Sequence, residues 1–304
     1  MNNRPDFIII GAMKCATTTL HEQLAAQSGI FMSEPKEPNF FSDDSQYQQG
    51  INGYWALFDS ASAADLCGES STHYAKLPTY PNTIERIQKH LPDVKVIYIM
   101  RHPIDRLVSQ YIHEWTQKNV SVEINRALTK HPELIQYSQY SMQLKPYLET
   151  FGPERVLPVF MEKLRNRPQP ELERVCRFIG YTAVPTWQDQ LNQQHVSSDR
   201  MRQNVWRDLL VDIPILRAIR RQFVPKAVRT WVRSWWQMKK RPEIEPAQMA
   251  HLQVIFDQDL AVLGSWLGME LSCRNFKSAV LAGPETWQGL SQPDTAQVIE
   301  KTAS

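Results

Sequence analysis

Residues 5–24, PDFIIIGAMKCATTTLHEQL, leave few folds open to this chain. Phe7, Ile8, Ile9 and Ile10 form an unbroken apolar run, the pattern of a buried strand. Gly11 stops that run. A short polar loop follows, and Leu20 and Leu24 then carry a helical spacing. A strand that passes through a glycine turn into a helix N-terminus commonly holds a phosphate, because backbone N–H groups and the positive end of the helix dipole converge on the anion. Lys14 adds a full charge, and Thr17, Thr18 and Thr19 add hydroxyl donors. The order is not that of a Walker loop, since the lysine precedes the threonines and no second glycine stands before it. An ordinary buried strand running into a threonine-capped helix is the competing reading of this stretch.

Residues 94–115, VKVIYIMRHPIDRLVSQYIHEW, repeat the plan: an apolar strand, Arg101, a proline suited to the first helical turn, then a helix. Arg101 stands at the carboxyl end of its strand, where ligands bind in open α/β sheets. Ser109 and Arg106 fall on the following helix, with Arg106 as a further candidate for the same anion. A phosphate loop and a separate arginine–serine pair imply a ligand with two separated phosphates.

With both stretches in view, the chain resembles the sulfotransferases that use 3′-phosphoadenosine 5′-phosphosulfate. GAMKCATTTL is similar to their 5′-phosphosulfate loop and RHPIDRLVSQY to their 3′-phosphate motif, while KEPNFFS, GESSTHY, QLKPYLETFG and RPEIEP follow in the family's order. Within that family it resembles the bacterial carbohydrate-type enzymes and the heparan sulfate sulfotransferases. The resemblance implies an α/β fold, a P-loop-like, mostly parallel sheet with helices on both faces, in a single domain over residues 1–273. It implies sulfuryl transfer to a hydroxyl or amine of a carbohydrate or small metabolite, with adenosine 3′,5′-bisphosphate as the spent donor. Lys14 then neutralises the leaving oxygen and Glu37 is the catalytic base. The 5′ end of the donor falls to Lys14, Cys15, Ala16, Thr17, Thr18 and Thr19, and the 3′-phosphate to Arg101, Ser109, Lys240 and Arg241. Ala16 stands where the family usually has glycine. Asn39, Ser70 and His73 join Glu37 as acceptor-side candidates; Ser70 stands where heparan sulfate enzymes carry lysine, which removes a cation there. Phe40 and Phe41 read as core anchors for the Glu37 loop. No metal is called for, because lysine and arginine supply the cations.

Two rivals stay open on the sequence. A P-loop kinase or nucleotide hydrolase requires a Walker lysine and magnesium. A non-catalytic module would bind an anionic glycan through the basic, tryptophan-rich residues 200–241. That segment also reads as a lid over an anionic donor or, within 217–241, as a peripheral membrane contact. The net charge of +2 gives no reason to expect nucleic acid as a partner. The four cysteines show neither C-x-x-C nor zinc spacing, and no run approaches ~18 apolar residues, so the expectation is a reduced, cytoplasmic protein. Residues 274–304 are small and polar enough to read as a weakly ordered tail.

Overall fold

A computed structural model describes residues 4–193 and 241–290. Five parallel strands form one sheet: β1 (Phe7–Gly11), β2 (Ile30–Met32), β3 (Leu66–Ser70), β4 (Lys95–Met100) and β5 (Val156–Phe160), in the order β2-β3-β1-β4-β5. Every residue of β1 and β5 is buried, and so are Val96 to Met100 of β4. Side chains alternate between the two faces of a strand, so complete burial means that helices cover both faces. This agrees with the fold expected from the sequence.

The helices begin and end for local reasons. The Pro103–Thr116 helix starts with a proline at its first turn and a His102 cap whose Nδ1 accepts from the Asp105 amide at 3.4 Å. The Tyr140–Phe151 and Pro168–Ile179 helices stop at Gly152 and Gly180, both with positive φ. The long Pro246–Leu267 helix packs on the Tyr140–Phe151 helix, and its Asp259 accepts from the amides of Ser141 and Met142 at that helix's first turn. A further helix, Thr83–His90, leads into β4.

Connectivity decides where a ligand can sit. The chain lays β2 and β3 on one side of β1, then crosses β1 to lay β4 and β5 on the other. The loops after β3 and β4 therefore diverge around the end of β1, and a crevice opens at the carboxyl ends of these three strands. Gly11 closes β1 there with φ +152°; a Cβ on it would come within 3.1 Å of the Ala75 Cβ and 3.2 Å of the Tyr98 ring. Only glycine combines that backbone with so close an approach.

One expectation needs correction. The weakly ordered tail does not begin at 274: a helix spans Phe276–Ala282, with Phe276 and Val280 fully buried. Phe276 meets Phe160 and His102 edge to face. Two apolar residues four apart make one helical contact, too short a pattern to stand out among small residues. Residues 291–304 lie outside the described residues, as do residues 200–240.

Candidate active site

A cavity of about 1050 Å³ opens at the carboxyl ends of β1, β3 and β4. Its wall brings together most of the residues expected from the sequence: Lys14, Ala16, Thr17, Thr18, Thr19, Glu37, Asn39, His73, Arg101, Ser109 and Arg241.

The loop after β1 is wound tightly. Lys14 and Ala16 both take left-handed backbone, at φ 69° and 65°. For alanine this costs roughly 1–2 kcal/mol, so alanine in place of glycine at 16 strains the loop. The first bond of the Thr17–Ala25 helix runs from the Leu20 amide to the Ala16 carbonyl at 3.1 Å. The amides of Thr17, Thr18 and Thr19 precede that bond, where a helix has donors to offer. Cys15 departs from expectation. Its amide donates back to the Ala12 carbonyl at 3.1 Å and its side chain is fully buried, with burial pushing the thiol up to about 12. Cys15 builds the turn and offers nothing to a ligand.

Arg101 reaches the loop from the end of β4: its Nη1 donates to the Lys14 carbonyl at 3.2 Å. Tyr140 fixes its backbone by donating its hydroxyl to the Arg101 carbonyl at 2.6 Å. The Arg101 Nε is hidden from solvent and has no partner among the described residues. Ser109 faces the same cavity two turns into the next helix. Arg106 does not. It is fully buried, donates from Nε to Ser138 and from Nη2 to Gln110 and the Leu134 carbonyl, and so ties its helix to the 134–138 segment. Spacing on a helix cannot separate these two residues, because Arg106 and Ser109 share a face and only the neighbouring segment captures the longer side chain.

Glu37 sits on the opposite wall, also in left-handed backbone at φ 62°. Its amide donates to the Ser70 carbonyl at 2.9 Å. Its Oε2 accepts from the amide of Thr72 at 2.8 Å and from the Thr72 hydroxyl at 3.1 Å, while Oε1 pairs with Lys36 at 2.6 Å. Burial pushes this carboxyl up, but Lys36 and Thr72 together outweigh it, and the group is held below its ordinary range. Phe40 and Phe41 anchor the loop in the core, packed on Tyr54, as the sequence suggests. Asn39, at φ 54°, donates its amide to the Ser71 hydroxyl at 3.0 Å, and Ser71 donates in turn to the buried Glu69 at 2.7 Å.

Ser70 also departs from expectation. It is fully buried, its hydroxyl lies 2.9 Å from Nδ1 of His21, and it does not line the cavity. The strand alternates its side chains, so Ser70 and Ser71 point opposite ways and the helix after β1 claims Ser70. His73 does line the cavity, stacked on Tyr80 with ring centres 4.8 Å apart. Burial first, and Lys76 second, lower it to about 4, so the ring is neutral at pH 7. Arg241 donates to Asp105 at 2.7 Å, and Lys277 reaches the same carboxylate at 2.7 Å. Lys240 lies outside the described residues.

Sequence reasoning missed Lys76, Tyr80, Tyr137 and Arg165 on the cavity wall. They come from separate segments and share no motif. Only Lys76 follows a recognised one, two residues after the tyrosine of GESSTHY. Among the described residues, no helix is long and apolar enough to cross a membrane, and no cluster of histidine, cysteine, aspartate and glutamate could hold a metal ion.

Comparison with known proteins gives one family. Residues 4–264 match the model of the sulfotransferase domain. Over 198 residues the chain is 27% identical to bifunctional heparan sulfate N-deacetylase/N-sulfotransferase 1 of Xenopus laevis, covering 59% of this chain but 22% of that protein. Over 192 residues it is 28% identical to heparan sulfate glucosamine 3-O-sulfotransferase 3B1 of Mus musculus, covering 60% of this chain and 47% of that one. The chain therefore spans less than half the length of these relatives. A sulfotransferase from Alicyclobacillus acidocaldarius shares the fold at a TM-score of 0.63 and 23% identity, with 88% of this chain and 98% of that one covered. With the family model matched from the first strand into the last long helix, the chain belongs to the sulfotransferase domain family.

Proposed function

We propose that this protein is an enzyme that moves a sulfuryl group from 3′-phosphoadenosine 5′-phosphosulfate to a hydroxyl, or an amine, of a carbohydrate or small-metabolite acceptor. One observation carries the reading: the loop from Lys14 to Thr19, the Arg101–Ser109 pair and Glu37 line a single cavity. The residues present suit such a donor. The early amides of the Thr17–Ala25 helix suit its 5′ end, and the unpartnered Arg101 Nε and the Ser109 hydroxyl suit its 3′-phosphate. The donor supplies an already activated sulfuryl group on a phosphate leaving group. Lys14 lends positive charge to the oxygen that leaves. Glu37, ionised at neutral pH, accepts the acceptor's proton; Oε1 has one partner, Lys36, against two donors at Oε2, and has room for it. His73, a neutral ring at pH 7, lines the acceptor side. Arg241 closes on the helix that bears Ser109 through Asp105 and supports the donor's 3′ end. The relatives' names specify heparan sulfate, which supports a sugar acceptor. Four free, buried cysteines suit a reducing compartment such as the cytoplasm.

Isothermal titration with adenosine 3′,5′-bisphosphate, with and without magnesium, tests the reading together with transfer of radioactive sulfate from the donor to sugar acceptors. Magnesium-independent binding is expected. Binding that requires magnesium would favour a kinase or hydrolase. Absence of binding would remove the site assignment.

A further inference from the structure

Lys76 caps the short 3-10 turn Thr72–Ala75 that follows β3, on the side of the cavity that holds Glu37. It is nine-tenths buried, at 9% exposure, yet it lines the cavity. Among the described residues its ammonium makes no hydrogen bond and no ion pair; its one close partner is the Tyr137 ring, 5.8 Å away. A buried ammonium without a counter-charge is costly unless something supplies one. No carboxylate on the cavity wall lies within ion-pair distance of it among the described residues. Glu133 pairs with His131 at 3.1 Å, Glu114 accepts from Asn119 at 2.7 Å, and Glu37 is taken by Lys36 and Thr72. Burial pulls the Lys76 pKa down, with only longer-range attraction from Glu114 and Glu37 opposing it. The donor's phosphates have their own cations, Lys14 and Arg101, in the segments that follow β1 and β4. Beside Lys76 the stacked rings of His73 and Tyr80 offer a flat face to a sugar.

We infer that Lys76 recognises the acceptor by taking an anionic substituent, carboxylate or sulfate, on the sugar that is to be sulfated. The inference rests on the reading of this cavity as a sulfuryl-transfer site and names the substrate class for it.

The test uses the full chain saturated with adenosine 3′,5′-bisphosphate, titrated with methyl β-glucuronide, methyl β-glucoside 6-sulfate and methyl β-glucoside. At least one anionic sugar should bind about tenfold or more tightly than the neutral one, the scale of a charge-assisted hydrogen bond, and which one does so separates carboxylate from sulfate. Lys76→Met should erase the preference while leaving bisphosphate affinity within about twofold, and Lys76→Arg should keep it. If the methionine variant does not fold, Lys76→Gln serves the same purpose. A parent that holds all three sugars equally, or none, with bisphosphate bound overturns the inference alone. So does a preference that survives Lys76→Met. Failure of the parent to bind bisphosphate overturns the inference and the site reading together.

Discussion

The Lys14 loop and the Glu37 loop face one cavity, but they are held in place differently. The Lys14 loop joins a central strand directly to a helix, and its turn is closed by its own backbone, from Cys15 to Ala12 and from Leu20 to Ala16. The Glu37 loop belongs to no regular element. It hangs on the end of β3 through bonds from the Glu37 amide to Ser70, from Thr72 to the Glu37 carboxylate and from the Asn39 backbone amide to Ser71, with the buried Glu69 behind Ser71. Both loops contain residues in left-handed backbone. In the first, strand and helix hold that conformation; in the second, side chains of a neighbouring strand end do. The side assigned to the donor is thus a property of local sequence, and the side assigned to the acceptor is a property of contacts between distant segments.

The largest effect should come from Glu37→Gln, which keeps size and polarity but cannot take a proton. Turnover should fall by ~10²–10⁴-fold, the usual range for general-base catalysis, with bisphosphate affinity changed by less than ~1 kcal/mol. Initial rates and calorimetry on one folded preparation check this. Turnover within about threefold of the parent, far short of that range, would reduce Glu37 to the surface partner of Lys36.

Glu69 probes the support behind that loop. Burial, opposed by donors from Ser71, Tyr74 and Tyr54, pushes its carboxyl from 4.5 to about 7. A carboxyl raised in the folded state holds its proton more tightly there than in the unfolded chain. Its stabilising share is complete below 4.5 and is lost as pH rises through about 7. Glu69→Gln cannot ionise, so its stability relative to the parent should rise across that window by an amount on the order of 3 kcal/mol. Urea titrations of both proteins at several pH values measure it. A difference independent of pH would mean that Glu69 does not change protonation there, and the acceptor side would lose its titrating support.

On the opposite wall, Arg101→Ala should weaken bisphosphate binding by at least ~2 kcal/mol and leave adenosine 5′-phosphosulfate, which lacks the 3′-phosphate, nearly unaffected. Equal losses for both ligands would make Arg101 a brace for the Lys14 carbonyl instead of a phosphate ligand. The smallest effect is expected from Ala16→Gly. Relief of left-handed strain, ~1–2 kcal/mol, is partly cancelled by the extra freedom of the unfolded chain, ~0.4–1 kcal/mol, so stability should rise by about 1 kcal/mol or less. Thermal melts and calorimetry read both stability and bisphosphate affinity. A large loss of affinity would show that the alanine methyl shapes the cradle.

The sequence by itself determined the sheet class, the strand–loop–helix at Gly11 to Thr19, the arginine at the end of β4 and the serine on the following helix. These rest on short-range rules: apolar runs make buried strands, glycine ends them, and helices begin at proline or threonine. Tertiary structure decided which neighbours within a motif face the ligand. It turned Cys15 and Ser70 inward, sent Arg106 to Ser138 and Gln110, and brought Lys76 to the cavity beside Tyr137. It also folded residues 276–282 against Phe160 and His102, where the sequence alone suggests a loose tail. The reason is physical. Backbone conformation follows from a few adjacent residues, but the direction in which a long or polar side chain finds its partner depends on segments far away in the chain, and only packing brings those together.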